Sequence, residues 1–167
     1  LDALASARYN ALFLWASHPF PHILELPQYP GATDLMPEQL KQNQDQFRWL
    51  AAECQRRNIR ILLHFYNIHL PHRLASQLKA GRGGFGASSV TRPAPEVARY
   101  YKYILGRYFD EFPGVGLYIC PGETLSSSHQ VEWFRDVLFA AARESGKDPL
   151  LVIRDWTMNI DFRSKIR

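Results

Sequence analysis

The chain has 167 residues, 46% hydrophobic and 22% charged, a balance that excludes a disordered or fibrous protein. Its net charge of +4 comes from 20 Lys+Arg against 16 Asp+Glu. These are spread without a basic run, so nucleic acid is not indicated as a partner. No apolar stretch approaches the length of a membrane span. The two cysteines, Cys54 and Cys120, have no metal or redox spacing. A complete eight-stranded α/β barrel needs roughly 200–250 residues, which exceeds this chain.

In chain order, the first element is an apolar run from Ala11 to Ala16. From Pro37 a helix is predicted to about Asn58, with Leu40, Phe47, Leu50, Ala51 and Cys54 on one stripe. A second apolar run covers Ile59 to Phe65. A second helix starts at Pro95 with Val97, Tyr101, Ile104, Leu105, Tyr108 and Phe112 in phase, and Pro113-Gly114 stops it. Pro37-Glu38 and Pro95-Glu96 suit first helical turns, where proline forfeits no needed donor and a carboxylate meets the dipole. A third run spans Val115 to Cys120. A third helix follows Ser126-Ser127-Ser128, presents Val131, Phe134, Leu138 and Ala141, and closes at Gly146. Leu150 to Ile153 is the last run. The runs are short and lack alternation, which reads as strands covered on both faces. The order β-α-β-α-β-α-β predicts an α/β fold of parallel (βα) units with right-handed crossovers.

The connections from helix to strand are tight. Those from strand to helix are long after the first two strands, spanning residues 17 to 36 and 66 to 94. In parallel α/β folds the functional face lies at the carboxyl ends of the strands, and long ordered loops there are usually functional. The residues after the strands are Trp15, Ser17, His18, Pro19 and Phe20; His64, Tyr66, Asn67 and His69; Pro121, Gly122, Glu123 and Thr124; and Arg154, Asp155, Trp156 and Asn159. Aromatic rings mixed with polar and ionisable groups fit a carbohydrate site, since sugar rings offer apolar faces and hydroxyls together.

Glu123 carries the sharpest signal, a carboxylate in a tight Pro-Gly-Glu-Thr stretch directly after a buried strand. Partial burial there would raise its pKa and suit a general acid; the competing role is to bind backbone donors at the next helix. Asp155 is the second candidate, because glycoside hydrolysis uses two carboxyl groups; the competing role is an ion pair with Arg154 or Arg163. Arg154 suits a sugar carboxylate in bidentate fashion, or simply neutralises Asp155. Trp15, His18, His64, Asn67, His69, Arg154 and Trp156 are the expected substrate contacts. His64, His69 and His72 raise a metal reading, but Pro71 opposes a helix across the His69–His72 pair and no acidic ligand lies nearby. No metal and no cofactor are therefore expected. His129 is expected to face solvent. Gly81, Gly83 and Gly86 spell GxGxxG, yet they do not join a strand to a helix as a dinucleotide site requires, so a loop over the site is the expectation. Ser126 to Ser128 read as a helix cap rather than a nucleophile.

The segment Tyr-Asn-Ala-Leu-Phe-Leu-Trp-Ala-Ser-His-Pro-Phe-Pro from Tyr9, followed by Leu-Pro-Gln-Tyr-Pro, resembles bacterial barrel-fold glycoside hydrolases of the alpha-glucuronidase-like group. Gly116-Leu-Tyr-Ile-Cys-Pro-Gly-Glu123 is similar to their strand ending in Gly-Glu. The resemblance spans residues 9 to 156. It implies a TIM barrel, a general acid at Glu123, a plant or algal polysaccharide as substrate, and a periplasmic or extracellular location. Asp155 matches no motif of the group and rests on position. The resemblance implies eight strands where this chain supplies about four. Residues 1–167 are therefore expected to be one (βα)4 segment, the N-terminal half of a catalytic barrel, with the remainder of the barrel or self-association as partner. The alternatives are a non-catalytic carbohydrate-binding domain and a small doubly wound α/β domain binding a phosphate ligand.

Overall fold

The computed structural model describes residues 1–66, 68–78, 94–120, 125 and 127–154. Four strands, β1 (Ala11–Trp15), β2 (Arg60–Tyr66), β3 (Gly116–Cys120) and β4 (Leu151–Ile153), form one parallel sheet in the order β1-β2-β3-β4. Between them lie α2 (Pro37–Arg56), α3 (His72–Gln77), α4 (Pro95–Glu111) and a last helical stretch. A short α1 (Asp2–Ser6), absent from the pattern-based reading, precedes the sheet. Each strand is laid beside its predecessor in the same direction. α2, α4 and the last helical stretch bury their apolar stripes in one core with the sheet. The result is an open α/β sheet with the order of a barrel wall. The doubly wound alternative is corrected by it, because these strands lack the reversal of direction such a sheet needs.

The helices form where local chemistry favours them. α2 opens with Pro37 and Glu38, and the Met36 N–H donates to the Gln39 side chain at 3.0 Å. Leu40, Gln44, Phe47 and Cys54 are its buried stripe, and Asn58, at φ 55, turns the chain into β2. α4 buries Val97, Tyr100, Tyr101, Ile104, Leu105, Tyr108 and Phe109, and Gly114 at φ 88 makes the turn into β3. The third helix is not regular. α5 (Ser127–Trp133) passes through a π segment (Phe134–Leu138) into α6 (Phe139–Ser145), and Gly146 at φ 63 ends it.

The core lies between this helical layer and one face of the sheet. Ile61, Leu63, Phe65, Leu117 and Ile119 point into it, with Leu12, Leu14, Leu151 and Ile153 at its margins. The period of two sends the intervening residues to the opposite face. That face is not covered on β1, where Phe13 is 54% and Trp15 69% exposed. The expectation of strands covered on both sides fails here for a clear reason. The residues of the open face are themselves aromatic or aliphatic, so burial on one side reads like burial on two. Gly116 sits on this face because there is no room for a side chain. A Cβ there would stand 2.7 Å from Leu62 Cδ2 and 2.8 Å from the Leu150 carbonyl.

Candidate functional site

The carboxyl ends of the strands carry two clusters. The first runs across the open face. Register pairs Trp15 with His64, His64 with Tyr118 and Tyr118 with Val152. The His64 ring is 5.8 Å from Trp15, 5.0 Å from Tyr118 and 6.1 Å from Tyr66, centroid to centroid. Phe13 meets Tyr118 edge-on at 5.4 Å. These rings leave His64 only 3% exposed. Neither ring nitrogen of His64 has a hydrogen-bond partner among the described residues. Burial lowers its pKa, and the positive charge of Arg154 adds to the effect. His64 is thus a neutral imidazole with one donor and one acceptor, enclosed by aromatic rings on a face otherwise open. The Arg154 N–H donates to the Ile119 carbonyl at 2.9 Å, which holds Arg154 beside β3.

The second cluster ties the two long loops to α4. The β1–β2 pairing continues past Trp15, with the Ala16 N–H donating to the His64 carbonyl and the Tyr66 N–H to the Ser17 carbonyl, both at 3.2 Å. His18 Nε2 lies 3.0 Å from the Tyr100 hydroxyl, and its Nδ1 3.4 Å from that of Tyr101. The Tyr101 hydroxyl donates to the His69 carbonyl at 2.7 Å. One tautomer satisfies the chain. Tyr100 donates to Nε2, Nδ1–H donates to Tyr101, and Tyr101 donates onward to His69. The cluster backs a cavity of about 350 Å³ whose walls include Ser17, His18, His22, Asp34 and His69.

Protonating His18 would give both its nitrogens hydrogens and reverse the Tyr100 bond. Burial, with smaller effects from His69 and His22, pushes the His18 pKa down to about 3. Above its unfolded value of about 6.5, the residue is neutral folded or unfolded. Below that value the unfolded chain binds a proton the folded chain refuses. Stability therefore falls as pH drops from about 6.5 towards 3, by up to about 1.4 kcal/mol per pH unit for this group. Urea unfolding across that range should show the slope. In His18→Gln the slope should be shallower by one proton, and an unchanged slope would exclude His18 as its source.

The structure brings Trp15, His64 and Arg154 together on the open face and places His18 and His69 in the second cluster. Asn67, Glu123, Asp155 and Trp156 lie outside the described residues, as do Gly81, Gly83, Gly86 and Ser126. The ring of His18 is engaged on both sides by tyrosines, so its place is in the wall. As expected, no helix runs across the His69–His72 pair, because Pro71 allows a helix only after itself. It is the N-cap of α3, and the Ala75 N–H donates to its carbonyl at 2.8 Å, because a proline at a helix start forfeits no needed bond. Among the described residues, no three His, Cys, Asp or Glu side chains converge as a metal site would require. His129 is half-buried rather than solvent-facing, with Nδ1 3.3 Å from Glu132 Oε2. The pattern-based reading did not pick out Tyr118 and Tyr100. Tyr118 stands inside an apolar run, and only the knowledge that one face is open marks it.

No helix among the described residues is long and apolar enough to cross a membrane. No family model and no curated protein matches the chain. Among solved structures, the chain is similar to a GH138 enzyme targeting pectin rhamnogalacturonan II, with a TM-score of 0.84 and 26% identity over 96% of this chain. The chain spans 20% of the length of that enzyme. The likeness agrees with the glycoside hydrolase class of the resemblance above and does not single out the alpha-glucuronidase-like group. This α/β segment, with its row of aromatic and imidazole side chains, has the fold of one part of a glycoside hydrolase.

Proposed function

We propose that the chain is a (βα)4 segment of a (β/α)8 catalytic domain in a glycoside hydrolase that acts on a plant polysaccharide. The observation that carries this is the likeness to the GH138 enzyme across nearly the whole chain. The open face supports it, since each wall of a closed barrel turns one helix-free sheet face, lined with side chains, to the interior. The target of the solved enzyme makes pectic polysaccharides the first substrates to try.

In this reading Glu123, three residues after β3, is the general acid that protonates the leaving oxygen. Asp155, or a carboxylate elsewhere in the protein, activates water or attacks the sugar. Trp15 offers its exposed face to a sugar ring. His64 forms the floor of the subsite beneath Trp15, Tyr66 and Tyr118. Asn67, His69, Arg154 and Trp156 complete the subsite, with Arg154 suited to an acidic sugar. His18 positions the loops around it.

The test is cleavage of pectin fragments by a protein carrying the complete catalytic domain, followed by product analysis. Trp15→Ala should raise KM about tenfold, equivalent to ~1.4 kcal/mol of lost stacking, and change kcat little. Binding without any bond cleavage would instead identify a carbohydrate-binding domain. Cleavage with Trp15→Ala at full efficiency would remove the open face from the site.

A further inference from the structure

The solvent side of α2 carries a second arrangement, separated from the open face by the helical layer and the sheet. Trp49 is 62% exposed and makes no ring contact among the described residues. Gln46 and Gln42 lie one and two turns before it, on the same face of α2. Neither amide is hydrogen-bonded to the described protein. With Glu38, Lys41 and Asp45 they line a shallow groove of about 530 Å³. The stripe from Gln42 to Trp49 is about 10 Å long, enough for about two sugar rings.

We infer that Gln42, Gln46 and Trp49 form a second, non-catalytic carbohydrate-binding platform on α2. The occupant is a sugar rather than a protein because of what surrounds the indole. Protein interfaces are depleted of charge at their centres, and covering Trp49 with protein would desolvate Glu38, Lys41 and Asp45 beside it. A sugar chain stacks on the ring, bonds to the amides and leaves these charges wet. The platform is also firm. Phe47 and Cys54 hold α2 to the core from its other side. Asp45 is pinned by Lys41 and by Arg48, which also pairs with Glu111. A flat, exposed platform of this kind buries little of its ligand and binds weakly. Its use is to keep a long polymer near the enzyme.

The choice of a carbohydrate rests on the proposed hydrolase function, so the experiment separates the two. Oligosaccharides from pectin and from cellulose are titrated into the full chain while the indole Nε1–H resonances are followed by NMR. The Trp49 signal should shift and saturate with one class. That binding should be lost in Trp49→Ala, weaken several-fold in Gln46→Ala, and persist in Trp15→Ala. Circular dichroism checks that each variant keeps its fold, which an exposed site permits. In the complete enzyme, Trp49→Ala should slow hydrolysis of long polymer several-fold and leave short fragments unaffected. A Trp49 resonance unmoved by both classes, or binding unaltered in Trp49→Ala, overturns the platform even if cleavage is intact. Absent cleavage with the Trp49 shift retained overturns the hydrolase reading alone.

Discussion

Glu123→Gln in the complete enzyme should lower kcat by about 10²–10⁴-fold, the usual contribution of a positioned general acid. The amide keeps the size and hydrogen-bonding reach of the carboxyl group but has no proton to give. KM should therefore move little. The loss should be largest for sugars with poor leaving groups and smallest for activated aryl glycosides, whose leaving oxygen needs no proton. The limb of the pH–rate profile set by the acid should also vanish. The measurement is steady-state kinetics on both substrate types. Full activity in Glu123→Gln would move the acid to another residue, and an equal loss on both substrate types would assign Glu123 a binding or structural role. Asp155→Asn gives the complementary test, since a nucleophile or base is needed whatever the leaving group.

Phe20→Ala should cost about 3–5 kcal/mol of stability, a large share of the ~5–15 kcal/mol that holds a domain together. Phe20 lies in what reads as a loop, yet it is fully buried. It meets Phe65 at 5.2 Å, Tyr108 at 5.5 Å and His18 at 5.7 Å. The segment after β1 is thus bolted to β2 and α4 by one ring, and the walls of the 350 Å³ cavity follow from that anchorage. Urea unfolding measures the loss. A change below ~1 kcal/mol would mean the segment is held by its other buried side chains, Leu24 and Leu26, and not by Phe20. The contrast with Trp15, five residues earlier, is instructive. Trp15 is exposed, so Trp15→Ala should cost little stability and act on sugar binding instead.

Much of the fold is legible in the sequence. Helical spacing placed α2 and α4 to within a few residues, because each carries a long apolar stripe opened by Pro-Glu and closed by a turn. The four runs of Leu, Ile, Val and aromatics became the four strands. The tight links at one end and long ones at the other point to the edge proposed as functional. That edge holds Trp15, His64 and Arg154 together.

What sequence could not decide is what depends on residues far apart in the chain. The sidedness of the sheet is one case. Phe13, Trp15 and Tyr118 are as apolar as their neighbours, and only the strand order puts them on the face without helices. The buried state of His64 is another, since it arises from rings on three strands. The engagement of His18 by Tyr100 and Tyr101, more than eighty positions away, is a third. The π segment at Phe134–Leu138 was invisible because it alters phase without breaking the apolar stripe. Composition and periodicity alone determined that this chain is an α/β unit with a chemically rich strand edge. Which side chains meet there was settled by the crossovers, because contacts between distant segments follow from topology and not from local propensity.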